Sequence, residues 1–185
     1  MLLNDMKKKT LQHEIVSSIR EIIFGLEDAL VSTLGAVTGI AVGTGSQYVV
    51  ILSGLVLIAA ESMSMGAGSY LSSKNAAAAE GVIHKKKTQE ETPVRAGVVM
   101  FVFYFFGGFI PLFPYMFMDT LDAILPSVVF TGITLFLLGV WTSKYTKRSA
   151  WKSGMEMMLI SLAAALVGYL IGRLVSSGFG VDIQL

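Results

Sequence analysis

A glutamate and a methionine stand one helical turn apart, at positions 61 and 65, in a stretch that otherwise suits lipid. No charged residue occurs from Ala29 to Ala60, and most of that run is apolar. Glu61 therefore falls inside a prospective membrane span, where a carboxylate is costly unless it is paired, protonated or turned to water. Met65 lies on the same helix face, among the small residues Gly66, Gly68 and Ser69. A hard carboxylate oxygen beside a soft thioether suits a transition-metal ion.

A second pair of acids, Glu27 and Asp28, opens the preceding apolar run. The two runs meet at Gly43-Thr44-Gly45-Ser46-Gln47, which reads as a tight turn and makes them an antiparallel hairpin. Asp28 lies 15 residues before Gly43 and Glu61 lies 13 after Tyr48, so they are ~22 and ~20 Å from the turn at ~1.5 Å per residue. The spacing predicts both carboxylates at one height, with Met65 one turn further from the turn. Packing alternatives stand beside this reading. Glu61 also fits a neutral acid hydrogen-bonded to Ser or Thr in a bundle, and Glu27 and Asp28 fit helix-start acids favoured by the dipole. Met63 and Met65 fit core filler, as do Met155, Met157 and Met158 around Glu156.

The composition sets the class. Of 185 residues 54% are hydrophobic and 15% charged, with mean hydropathy +0.68; soluble domains carry about 25% charged residues. An all-α integral membrane protein of five transmembrane helices follows, as a single membrane domain over residues 1–185. The absence of cysteine excludes disulfides and thiolate metal sites. No nucleophile–base set or zinc-type cluster is present, so an enzyme is not expected. A net charge of +1 gives no reason to expect nucleic acid as a partner. The N-terminus, with Asn4-Asp5 ahead of Lys7-Lys8-Lys9, does not read as a cleavable signal.

Along the chain, residues 1–23 read as a polar arm followed by an amphipathic helix at the membrane surface, with Ile15, Val16, Ile19, Ile22 and Ile23 at helical spacing. The expected spans are 24–42, 48–71, 97–118, 123–141 and 154–175. Gly35, Gly39 and Gly43 form a small-residue stripe on the first, suited to helix packing within the chain or across a dimer. The 72–96 connection carries Glu80, His84, Glu90 and Glu91, either a solvated loop or a vestibule for incoming cations, and Pro93 is expected to stop any helix there. In the third span, Gly107-Gly108 and Pro111-x-x-Pro114 predict a kink or break. Thirteen of the 14 Lys and Arg fall in the N-terminal arm, the 74–95 region or the 144–152 region, which five spans place on one side. The positive-inside rule makes that side cytoplasmic, with the C-terminus opposite.

Several motifs carry a family resemblance. Gly25-Leu26-Glu27-Asp28-Ala29-Leu30-Val31-Ser32-Thr33 resembles the first-span motif of the vacuolar iron transporter family. Ser64-Met65-Gly66-Ala67-Gly68-Ser69-Tyr70-Leu71-Ser72 is similar to that family's second-span motif. Ile110-Pro111-Leu112-Phe113-Pro114 resembles its third-span proline pattern, and Arg148-Ser149-Ala150-Trp151-Lys152-Ser153-Gly154 its last basic connection. The resemblance spans about residues 20–176. It implies a five-span homodimer that moves ferrous iron, in some cases manganese, out of the cytosol in exchange for protons, with Asp28 and Met65 lining the ion path. It also implies an integral protein of a prokaryotic inner membrane or a vacuole-type membrane. The connection after the second span is too short for the Glu-rich metal-binding insert of the longer members, and Glu61 stands where many members carry a small residue.

The expected function is thus a metal:proton antiporter. Asp28, Glu61, Met65 and Glu27 are its candidate metal residues, and the metal is cargo, with no resident cofactor. The alternative is a non-transporting assembly or sensor subunit that acts through helix–helix contacts.

Overall fold

In a computed structural model of the chain, the backbone is described for residues 2–84, 92–146 and 148–178, and side chains for 18–79, 92–145 and 148–178. Among the described residues there are five α-helices and one short 3-10 helix: α1 (Leu2–Thr44), α2 (Gln47–His84), α3 (Pro93–Leu112), η1 (Phe113–Met116), α4 (Ile124–Thr146) and α5 (Ala150–Gly178). Each α-helix is long and apolar enough to cross a membrane, over Ser18–Thr44, Gln47–Ala79, Pro93–Met116, Ile124–Tyr145 and Ala150–Gly178. The protein is an all-α integral membrane protein.

The segment boundaries depart from the sequence expectation in instructive places. The N-terminal arm and amphipathic stretch do not form a separate helix; Leu2–Thr44 is one uninterrupted helix, because nothing between Phe24 and the upstream polar residues breaks it. Pro93 does not end a helix but begins α3 as its first residue, with Thr92 as N-cap, the one helical position where a missing N–H costs nothing. The third span breaks as expected: α3 ends at Leu112 and the chain tightens into η1 through Pro114. Glu80, His84, Glu90 and Glu91, the candidate vestibule, lie outside the residues whose side chains are described.

The α1–α2 hairpin is closed by Gly45, which adopts φ 59° and donates its N–H to Ala41 O at 2.9 Å. This left-handed end to a helix is the one glycine tolerates. Ser46 then accepts the Val49 N–H on its side chain at 3.4 Å and starts α2.

Helix α1 is the centre of the bundle and packs chiefly on α5 and α3, while α2 leans on α3 and α4 on α5. The Gly35-Gly39-Gly43 stripe is used within the chain. A Cβ at Gly39 would come 2.9 Å from Gly168 O, and one at Gly168 would collide with Gly35 O. Gly43 faces Gly172 in the same seam. Without a hydrophobic drive between helices in lipid, such close backbone approach is what gives dispersion its purchase. Two apolar clusters fill the interior. Leu30, Leu135 and Leu138 lie toward the basic connections, and Val37, Ala41, Val50, Ile58, Leu112, Tyr115 and Ala123 lie toward the α1–α2 turn.

Gly168→Val is expected to destabilise the detergent-solubilised protein by about 1–3 kcal/mol, the usual range for overpacking. Gly178→Ala, whose new methyl meets nothing within 4 Å, should leave thermal unfolding unchanged. Equal melting behaviour of the two variants would refute the seam.

Candidate metal route

Glu61 is half-buried on α2 and is held by hydroxyls from two other helices. Ser32 Oγ, on α1, donates to Glu61 Oε2 at 3.1 Å. Tyr104, fully buried on α3, donates its hydroxyl to the same oxygen, and the Ser32 and Tyr104 hydroxyls stand 2.7 Å apart. The carboxylate expected to need a partner in lipid therefore has two, both neutral. Ser32 is the serine of the first-span motif, and the hydroxyl-bonded acid considered as a packing alternative is part of what the fold builds.

The Ser32–Glu61 bond ties α1 to α2 beside the first-span motif. Asp28, one turn before Ser32 on α1, lies within electrostatic reach of Glu61, and Met65 follows Glu61 by one turn on α2. Two carboxylates, a thioether and two hydroxyls on α1, α2 and α3 are a mixed hard and soft donor set.

The acids that act on Glu27 are its neighbour Asp28 and Glu156 of α5. Glu156 is itself paired with Arg148 at 3.0 Å in an exposed salt bridge. Successive helix residues point about 100° apart, so Glu27 and Asp28 leave α1 in different directions.

Three residues here were not singled out from the sequence. Tyr104 is the lone hydroxyl in the run Phe101–Phe106, and that isolation was the only available signal. Glu21 lies two turns before Asp28 on the same face, is 4% exposed, and leaves Oε2 without a hydrogen-bond partner among the described residues. Between them, Met100 of α3 lays its sulfur 3.2 Å from where a Gly25 Cβ would stand. One face of α1 thus carries Glu21, Gly25, Asp28 and Ser32 in order. Among the described residues, no three Asp, Glu or His side chains converge in a way that could hold a metal ion.

The sequence profile of the VIT family matches residues 19–90 and 76–173. The chain belongs to the VIT family. It is 23% identical to the vacuolar iron transporter 1 of Arabidopsis thaliana, over 85% of this chain and 86% of the relative. The vacuolar iron transporter 1 of Eucalyptus grandis is also 23% identical, over 86% and 87%. An uncharacterized protein of Methanocaldococcus jannaschii is 28% identical over 85% of this chain and 90% of its own length. The two plant alignments run to 214 and 216 positions although this chain has 185 residues, so those VIT relatives carry residues that this one lacks. The archaeal alignment needs only 174.

Because Ser32 and Tyr104 share one oxygen of Glu61, their loss should not be additive. A double-mutant cycle of Ser32→Ala and Tyr104→Phe, read by detergent unfolding, is expected to give a coupling energy of about 0.5–3 kcal/mol. Strict additivity would show that the three groups do not act together.

Proposed function

We propose that this VIT-family chain transports a divalent transition-metal ion, ferrous iron and also manganese, out of the cytosol in exchange for protons. The observation that carries the reading is the donor set on adjacent helices: Asp28 of α1 within electrostatic reach of Glu61 of α2, Glu61 held by Ser32 and Tyr104, and Met65 one turn along α2. Membrane-embedded acids are costly and mark ion or proton routes. The names of the plant relatives support iron as cargo, and the metal is bound in transit with no resident cofactor.

In this reading the basic connections face the cytoplasm. An ion arrives along the α1 face that carries Glu21, and Asp28 and Met65 receive it. Carboxylates bind metal only when deprotonated, so metal and protons compete for the same oxygens. A metal-loaded form and a protonated form then give exchange without a separate proton carrier. The Ser32 and Tyr104 hydroxyls orient Glu61 in both forms, since a hydroxyl can donate to a carboxylate and accept from a carboxylic acid. Two carboxylates and a thioether are few ligands for one ion, which favours a homodimer that brings a second copy of the set. The exposed strip of α2 that contains Ala60, Met63, Ser64, Ala67 and Gly68 is small-sided enough to pack against its twin. The stripe at Gly35, Gly39 and Gly43 is already occupied by α5 and is not the dimer contact.

Manganese or ferrous iron uptake into proteoliposomes is expected to accelerate when the pH gradient opposes metal movement. Asp28→Asn, Glu61→Gln and Met65→Leu should each lower the initial rate by about tenfold or more, one lost charge-assisted contact being worth ~1.5–3 kcal/mol. Unaltered rates in both carboxylate variants would remove the site assignment. A folded wild-type protein that binds no metal would favour the assembly-subunit alternative.

A further inference from the structure

Where η1 interrupts the path from α3 to α4, the chain leaves a hollow that its own side chains do not fill. Phe113, Pro114, Phe117 and Met118, from η1 and the residues after it, line an apolar groove of about 390 Å³ with Pro126 and Phe130 of α4. The walls of this groove are fixed. Phe113 and Phe117 lie ring against ring, their centroids 5.0 Å apart. Ser127 Oγ donates to Pro111 O at 2.6 Å and ties α4 to the end of α3. Gln47 Nε2 donates to Tyr115 O at 2.8 Å and to Met118 O at 3.2 Å, which holds the segment against α2.

Position and chemistry select the occupant. The lining is wholly apolar, so a water there would lack the two or more polar partners it needs. Phe113 and Phe130 are exposed within the membrane-crossing spans Pro93–Met116 and Ile124–Tyr145, so the groove opens where lipid chains lie. At ~30 Å³ per water-sized group it has room for about a dozen methylenes, most of one acyl chain.

The rim selects the headgroup. Asp119 follows Met118 directly, Asp122 stands shortly before Pro126, and both acids are exposed. The turn that carries them is compact, with the Ala123 N–H donating to Asp119 O at 2.9 Å, so the two carboxylates stand over the end of the groove. No Lys or Arg occurs from Ala96 to Ser143. Arg173 is on α5, which makes no contact with η1 among the described residues. The field at this rim is therefore negative.

We propose that the groove seats one acyl chain of an aminophospholipid, whose headgroup ammonium is held by Asp119 and Asp122. A primary ammonium offers three N–H donors to the two carboxylates, whereas a quaternary choline offers none and an anionic glycerol headgroup is repelled. The chain packs against the apolar wall that the broken helix presents, and the headgroup covers the acidic turn. The inference is independent of the transport reading, since it concerns neither Asp28 nor Glu61.

Native mass spectrometry of the full chain, stripped of lipid in detergent, tests it. Phosphatidylethanolamine, phosphatidylcholine and phosphatidylglycerol with the same acyl chains are added at equal concentration, and the lipid retained per chain is read. Phosphatidylethanolamine is expected to be retained in preference to the other two. Asp119→Asn combined with Asp122→Asn should reduce that preference about threefold, the scale on which exposed ion pairs act. Phe130→Trp, which pushes a larger ring into the groove, should abolish retention of all three lipids. Leu166→Trp, on the exposed side of α5, should alter neither result. Equal retention of the three lipids by the wild type would overturn the headgroup assignment, as would an unchanged preference in the Asp119→Asn, Asp122→Asn protein. Full retention in Phe130→Trp protein that melts at the wild-type temperature would overturn the groove as the site. A Phe130→Trp protein that loses a second copy of the chain instead of a lipid would overturn it too, by showing that a subunit fills the groove.

Discussion

A carboxylate placed halfway along an apolar helix must find partners that lipid cannot supply. Glu61 finds them in Ser32 and Tyr104, so one ionisable side chain ties α2 to both α1 and α3. Asp28, one turn before Ser32 on α1, lies within electrostatic reach of the same carboxylate. The groups that make Glu61 tolerable in lipid also fix where it points. Hydroxyls suit this role because they serve either protonation state, where a lysine or arginine would fix the carboxylate as an ion pair.

The rest of the bundle can be understood as support for α1. Glycines on α1 and α5 bring two backbones into contact, which holds α1 rigid on one side and leaves its other face for the acids and hydroxyls. Small residues do the equivalent work between α2 and α3, where a Cβ on Gly97 would press on Gly66 O at 2.8 Å. The prolines act at the opposite end. Pro111 and Pro114 end the helical ladder of α3 and create η1, where Ser127 donates to Pro111 O at the end of α3 and Gln47 to Tyr115 O within η1. The molecule thus has a stiff seam, a charged middle and an end held by a few side-chain hydrogen bonds.

Relative to its plant relatives the chain is compact. The buried Glu21 lies on the α1 face that leads to Asp28, and the Met100 sulfur of α3 stands beside that face at Gly25.

Much of this was legible in the residues because lipid makes local sequence decisive. Every backbone group in a span must be bonded within its own helix, so five apolar runs imply five helices. The Pro111–Pro114 spacing implied the break, and an acid at position 61 implied a polar partner. Sequence did not reveal the identity of that partner, because Tyr104 is 43 residues away and lies in a run of phenylalanines. It also left open whether Gly35, Gly39 and Gly43 meet α5 or another chain, since a small-residue stripe is equally suited to both. Sequence by itself determined which groups must be satisfied inside the membrane. Tertiary structure decided which side chains satisfy them, because partners on different helices are chosen by register and close packing, and neither is written in any single segment.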